Sequence, residues 1–154
     1  MTGLPAAAAA APPKRLAVVD TNVWLDLYFF GDPDARALAG ALESPRWAAV
    51  RCAQTDAELA AVLQRPRFGS NAGERARLAD SLRRWQLEAA CVSLRPQGDC
   101  RCRDPDDQKF LDLAFAARAA ALLTKDKALL SVRRRAARLG LAILTPRQFG
   151  DSEA

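Results

Sequence analysis

Short apolar runs alternate with amphipathic stretches along the whole chain, and this alternation constrains the fold more than any other feature. Leu16–Val19, Trp47–Cys52, Ala89–Leu94, Ala121–Thr124 and Leu141–Leu144 have the length and composition of strands. Between them, helices are expected over Val23–Phe30, Pro33–Leu42, Thr55–Leu63, Ala72–Gln86, Asp106–Ala119 and Lys127–Leu139. Strands separated by helices predict a parallel sheet covered on both faces, with right-handed crossovers. The expectation is a three-layer α/β/α domain over residues 14–150 with a central, mostly parallel, five-stranded sheet. Residues 1–13 read as a disordered Ala/Pro-rich tail and residues 151–154 as a short C-terminal tail.

Composition enters where it excludes chemistry. The 154 residues suffice for one domain with a substantial core. No apolar run approaches the roughly 20 residues that cross a bilayer, so no membrane partner is expected. MTGLPAAAAAAPPKR has neither the basic start nor the Leu-rich centre of a signal peptide, which implies a cytoplasmic protein. There is no histidine. Ser-His-Asp and Cys-His catalysis and His-bearing zinc sites are therefore excluded. Cys52 and Cys91 lie in or beside apolar runs and read as buried thiols. Cys100 and Cys102 have a one-residue spacer unlike that of zinc knuckles, so reduced, dispensable thiols are expected. A formal charge of +5 is compatible with a phosphate-bearing partner without establishing one.

What remains for chemistry is carboxylates. In a parallel sheet, ligands bind beyond the C-terminal ends of the strands. Asp20 closes the first apolar run and Asp126 follows the fourth, although each is also a natural helix N-cap. Asp107, Phe110, Leu111 and Ala114 share the spacing of one helical face, so an acid heads an apolar stripe and needs a cation or donors. In QTDAELAAVL, Asp56 and Glu58 lie about 60° and about 100° to either side of Leu59 at 3.6 residues per turn, and geometry leaves both open. Neither a Gly-rich phosphate loop nor a GxSxG elbow is present. A DxD phosphatase motif is also absent, because Asn22 stands where the second acid would be.

VVDTNVWLD, AELAAVLQRPRF, CRDPDDQKFLDLA and LLTKDKALL, in this order over residues 15–150, resemble the PIN-domain family of metal-dependent ribonucleases. The resemblance is to its branch of toxin components of toxin–antitoxin systems, and it implies a PIN-like variant of the Rossmann-like architecture. Carried over, the family's four acids fall on Asp20, Glu58, Asp107 and Asp126, with Glu58 preferred to Asp56 by its distance from the RPxF segment. Asn22 and Thr124 match the supporting polar residues. Arg65, Pro66 and Phe68 match a branch motif that otherwise reads as a helix stop with an aromatic packed beneath it. The resemblance implies RNA cleavage to 5′-phosphate and 3′-hydroxyl ends, an antitoxin protein as partner, and room for a homodimer.

Four converging carboxylates repel one another, and a divalent cation removes that repulsion. All-oxygen ligands suit Mg²⁺ or Mn²⁺. Arg101, Arg103, Lys109, Lys125 and Lys127 are candidate contacts for flanking RNA phosphates. Two other readings compete with a toxin: an RNA-processing nuclease, and a non-catalytic nucleic-acid-binding module whose acids are only helix caps.

Overall fold

The computed structural model describes residues 12–68, 71–83, 86–88 and 100–154. Strands β1 (Arg15–Val19), β2 (Trp47–Arg51), β3 (Gln86–Glu88), β4 (Ala121–Leu123) and β5 (Ala142–Leu144) stand in the order β3-β2-β1-β4-β5. Every neighbouring pair is parallel. The chain thus forms an α/β fold on a parallel sheet, as its alternating pattern requires. Among the described residues no helix is long and apolar enough to cross a membrane.

The pleat sends alternate residues into two cores. Ala17, Val19, Ala49, Ala121 and Leu123 pack on one face with Trp24, Leu38, Leu59 and Phe149. Val18, Val50, Leu122 and Ile143 pack on the other with Phe110, Leu111, Leu129 and Ala136. Burial on both faces explains why these strands read as unbroken apolar runs rather than as polar-apolar alternation. The first core is covered by α1 (Thr21–Leu25), α2 (Arg36–Glu43), α3 (Ala53–Leu63) and α8 (Pro146–Glu153), and the second by α5 (Gln108–Ala116), α6 (Lys127–Leu130) and α7 (Arg133–Arg138). Helix α4 (Ala72–Arg83) follows α3. Helix α1 runs into a π-helical turn, Asp26–Phe30, which Gly31 ends in the left-handed conformation at φ 59°.

Several boundaries differ from the sequence expectation. The strand expected over 89–94 and the thiol of Cys91 lie outside the described residues, as does the tail over residues 1–11. The described third strand, Gln86–Glu88, occupies the end of a stretch that reads as helix. It offers one apolar residue, Leu87, and pairs with β2 alone at the sheet edge, so it leaves no apolar run to find. The expected helix 127–139 is two helices. Buried Val132 leaves helical geometry at φ −98°, ψ 7°, and the Ser131 hydroxyl donates to the Ala128 carbonyl at 2.6 Å. The helix expected to reach residue 119 stops at Ala116, because Arg118 adopts φ 52° and the Ala119 N–H closes onto the Ala114 carbonyl.

Residues 151–153, read from sequence as a tail, are the last turn of α8. Thr145 caps that helix in a reciprocal box with Gln148, and Phe149 is fully buried.

Candidate active site

The strand order fixes where a site belongs. From β1 the chain builds outward to β2 and β3 on one side and, by crossover, to β4 and β5 on the other. The connections leaving β1 and β4 therefore diverge, and a crevice opens at the C-terminal ends of these two strands. Asp20 is the residue after β1. Thr124 and Asp126 follow β4.

Asp20 is 4% exposed and both of its oxygens are used. The Thr124 hydroxyl donates to Oδ2 at 2.7 Å, and the Asn22 amide donates to Oδ1 at 3.4 Å as part of the α1 cap. Thr124 is itself wholly buried, and its hydroxyl oxygen accepts from the Asp126 N–H at 3.0 Å. One side chain thus ties the ends of β1 and β4 together. Asp126 caps α6, with Oδ1 accepting from the amides of Ala128 and Leu129 at 2.7 and 3.4 Å.

Asp107 arrives on the other core layer. Asp104 caps a 3₁₀ turn, Pro105–Asp107, that feeds directly into α5. Phe110, Leu111 and Ala114 on the same stripe are buried. The stripe therefore points inward, and Asp107 Oδ2 is buried with no hydrogen-bond partner.

Glu58 is contributed by α3. The Thr21 hydroxyl donates to its Oε2 at 2.8 Å, and the Lys109 ammonium lies 3.4 Å from its Oε1. Asp56, two residues earlier, is ion-paired with Arg51. The two acids that the helical wheel could not separate are thus separated by their partners: Asp56 is neutralised by β2, while Glu58 joins Thr21 beside Asp20.

The electrostatics follow from burial and crowding. Burial is the main force raising the Asp20 carboxyl to about 6. The bonds from Thr124 and Asn22 oppose it, and the charges of Glu58 and Asp126 add to it. Asp107 is raised to about 7, first by burial and then by the charges of Asp126, Asp20, Asp104 and Glu58. The four acids therefore share one electrostatic neighbourhood. Among the described residues no group of three or more acid or thiol side chains is gathered closely enough to hold a metal ion as it stands. The donor set nonetheless fits a hard divalent cation: it is all oxygen, its charges repel, and Asp107 keeps one buried oxygen unpartnered.

The remaining expected residues divide into three groups. Arg101, Arg103 and Lys127 are exposed. Lys109, expected on a phosphate-binding surface, is instead turned into the cluster, donating to the Asp106 carbonyl and pairing with Glu58. Lys125, expected to face phosphate, pairs with Asp26 and lies 3.8 Å from Asp32; the bond to Asp26 is the main cause of its raised pKa. Asn22 is exposed, and its contribution to Asp20 comes through its backbone N–H.

Two residues hydrogen-bonded at or beside the cluster escaped sequence reasoning. Thr21 meets Glu58 across 37 positions, which no local pattern encodes. Asp112 is 7% exposed and accepts from Gln108 at 2.9 Å. Gln108 also accepts from the Cys102 N–H at 2.7 Å, fixing the loop before Asp107. The i, i+4 spacing of Gln108 and Asp112 was the available signal. Cys52, Cys100 and Cys102 are free thiols, and burial raises the pKa of Cys100 and Cys102.

The profile of a family described as PIN domain matches residues 16–128. The fold is similar to that of a chain in the crystal structure of VapBC2 from Rickettsia felis bound to a DNA fragment from their promoter, with a TM-score of 0.59 and 12% identity over 84% of this chain and 98% of that chain. No curated protein sequence matches.

Proposed function

The chain belongs to the PIN-domain family, and from that membership we propose that it is a metal-dependent endoribonuclease of the cytoplasm, the toxin of a toxin–antitoxin pair. The observation that carries this reading is the half-buried Asp107, whose Oδ2 is buried and unpartnered and whose pKa is raised by burial and by Asp126, Asp20 and Glu58. A helix cap or a stability device has no use for such an arrangement. The likeness to a chain of the VapBC2 assembly is a likeness of fold, and it supports a role with a protein partner. In this reading an antitoxin segment covers the acidic crevice, and two copies of the chain pair in the neutralised complex.

Asp20, Glu58, Asp107 and Asp126 would hold Mg²⁺ or Mn²⁺, which when bound polarises a phosphodiester and makes a hydroxide available near neutral pH. The protein's own part is preorganisation. Thr124 orients Asp20 through its hydroxyl proton and fixes Asp126 through its oxygen. Thr21 orients Glu58. Asp107 is held at the head of α5 by the Asp104-capped 3₁₀ turn, which sets where its carboxyl starts. Arg101 and Arg103, exposed on the segment leading to that turn, would contact RNA phosphates in this reading.

The test is cleavage of a labelled single-stranded RNA with Mn²⁺ or Mg²⁺, repeated in EDTA and with Asp20→Asn. Cleavage is expected only in the wild type with metal. Cleavage that survives both EDTA and the substitution would falsify the mechanism.

A further inference from the structure

The RPRF segment, which the acidic site does not use, builds a second surface beside it. Pro66–Phe68 forms a 3₁₀ turn that buries Phe68. On top of Phe68 stand Phe29 and Phe30 from the π-helical turn after α1, edge-on at centroid distances of 5.0 and 6.3 Å. Phe29 and Phe30 are 44% and 54% exposed. Both are large aromatics that the fold could have buried and did not. The Arg67 guanidinium lies 5.1 Å from the Phe68 ring centroid.

This ledge is held at the site deliberately. Lys125 pairs with Asp26 at the start of the π-helical turn and reaches Asp32 just beyond it. Lys125 is the residue before Asp126. The aromatic turn is thereby strapped to the strand end that carries one of the four acids. Between ledge and strap lies an open cleft of about 530 Å³, lined by Phe30, Arg65, Arg67, Phe68, Lys127 and Asp126 among others. Its size falls within the roughly 300–1,000 Å³ of sites that hold small molecules. Arg65, Arg67 and Lys127 are exposed and have no carboxylate partner among the described residues.

We propose that this cleft is the RNA-binding subsite flanking the scissile phosphate: an unstacked base lies on the face of Phe30, which Phe29 buttresses edge-on at 5.2 Å and 80°, while Arg65, Arg67 and Lys127 hold the adjoining phosphates. Unpaired cations ask for an anion, exposed aromatic faces ask for a planar apolar group, and single-stranded RNA carries both at one-nucleotide spacing. Asp126 belongs to the cleft wall and to the acidic cluster alike, so a strand lying here continues into the proposed reaction centre. The assignment favours a single-stranded substrate, because a base in a duplex reaches the ledge only at the free-energy cost of unpairing and unstacking. It rests on the nuclease reading above but is tested by binding rather than by cleavage.

The experiment uses the full chain and a ten-nucleotide fluorescein-labelled oligouridylate in EDTA, read by fluorescence anisotropy. The Phe29→Ala/Phe30→Ala double variant should bind about five- to a hundredfold more weakly, the range reported for loss of stacking per base. Phe30→Trp, which keeps an aromatic face, should retain affinity. Arg65→Ala/Arg67→Ala should lower the slope of log affinity against log salt by about 1.4, from about 0.7 per phosphate on a single strand. The replaced residues are surface side chains, and melting curves near that of the wild type confirm the fold. An affinity unchanged in the Phe double variant, or a salt slope unchanged in the Arg variant, overturns the proposal and leaves the ledge to a protein occupant. If binding falls as expected but Asp20→Asn still cleaves RNA, the subsite stands and the nuclease mechanism fails.

Discussion

The two ends of the sheet treat carboxylates in opposite ways. At the N-terminal ends of β1 and β2, Glu153 of α8 accepts from the Trp47 indole at 3.0 Å and is flanked by Arg46 at 3.4 Å and Arg15 at 3.8 Å. The Arg15 guanidinium also covers the Trp47 ring at 4.4 Å, and Trp47 meets Phe149 edge-on at 5.2 Å. Here the negative charge has more partners than it needs. At the C-terminal ends, Asp20 and Asp107 are raised to about 6 and about 7, and Asp107 has an oxygen with no partner. A fold selected only for stability would neutralise both ends. Keeping one end uncompensated marks it as the place where a ligand supplies the missing charge.

The largest effect that can break this comparison is on activity. Replacing one metal-holding carboxylate, Asp20→Asn or Asp107→Asn, should lower metal-dependent RNA cleavage by at least about a hundredfold, since even residues that merely support ligands commonly cost 10–100-fold. Asp56→Asn is the control within the same helix. Its partner is Arg51 and not the cluster, so cleavage should stay near the wild-type rate. Equal losses from Asp56→Asn and Asp20→Asn, measured on the same labelled RNA, would erase the distinction between Asp56 and Glu58.

Next in size is the thermal response to metal. A cation that binds the folded acids and not the unfolded chain stabilises by about 2.7 kcal/mol at one hundred times its dissociation constant. For a domain of this length that is a rise in melting temperature of roughly 5–10 °C. The wild type should show it with Mn²⁺ or Mg²⁺, and Asp20→Asn should show little of it. Without metal, Asp20→Asn should melt no lower than wild type, because it removes one of the mutually repelling charges. A clear destabilisation of the metal-free variant would mean that the Asp20 charge holds the strand ends together and is not repelled, whereas a pure cap would leave stability and activity unchanged, since Asn caps as well as Asp.

The third effect is a slope with pH. In the metal-free protein Asp20 and Asp107 have folded-state values near 6 and 7, above the ordinary 3.8. Between about pH 4 and pH 7 the folded state therefore binds more protons than the unfolded chain, and the contribution of these two groups to stability falls as pH rises. Denaturant melts at pH 5 and pH 7.5 in EDTA measure it. The difference between wild type and the Asp20→Asn/Asp107→Asn variant should favour wild type more at pH 5 than at pH 7.5. A difference independent of pH would place both carboxyls at ordinary values.

How much of this was legible depended on whether the signal was local. β1, β2 and β4 are buried on both faces and announce themselves as apolar runs. Among the described residues β3 pairs with β2 alone, and its three residues include one apolar residue, Leu87, so they form no apolar run of their own. Helix α8 was missed for want of an apolar stripe, although Thr145, Pro146 and Gln148 spell a capping box with proline in the first turn. The acids were legible because strand ends and the stripe below Asp107 are sequence patterns. Their partners were not. Lys109 and Lys125 read as surface charge, yet each answers an acid from a distant element: Lys109 lies 51 positions from Glu58 and Lys125 is 99 from Asp26. Charge type is written in the sequence, and charge pairing is written in the topology.

The smallest expected effect sharpens the comparison from the satisfied end. Glu153→Gln keeps an oxygen for the Trp47 indole and removes the attraction to Arg15 and Arg46. Those arginine side chains are 61% and 69% exposed, so solvent already screens most of the attraction, and each such pair is worth about 0–1 kcal/mol. With two such pairs, the variant should lose about 2 kcal/mol at most, or roughly 4–8 °C in melting temperature. Since both arginine partners are exposed although Glu153 is largely covered, the gap from wild type should narrow in 0.5 M salt. The rise in melting temperature on adding Mn²⁺ should match that of wild type, because Glu153 stands at the other end of the strands from the acids. A Glu153→Gln protein that loses its metal response, or melts far below wild type in high salt, would show that the two ends of the sheet are coupled and that the charge at one end is not free to vary without the other.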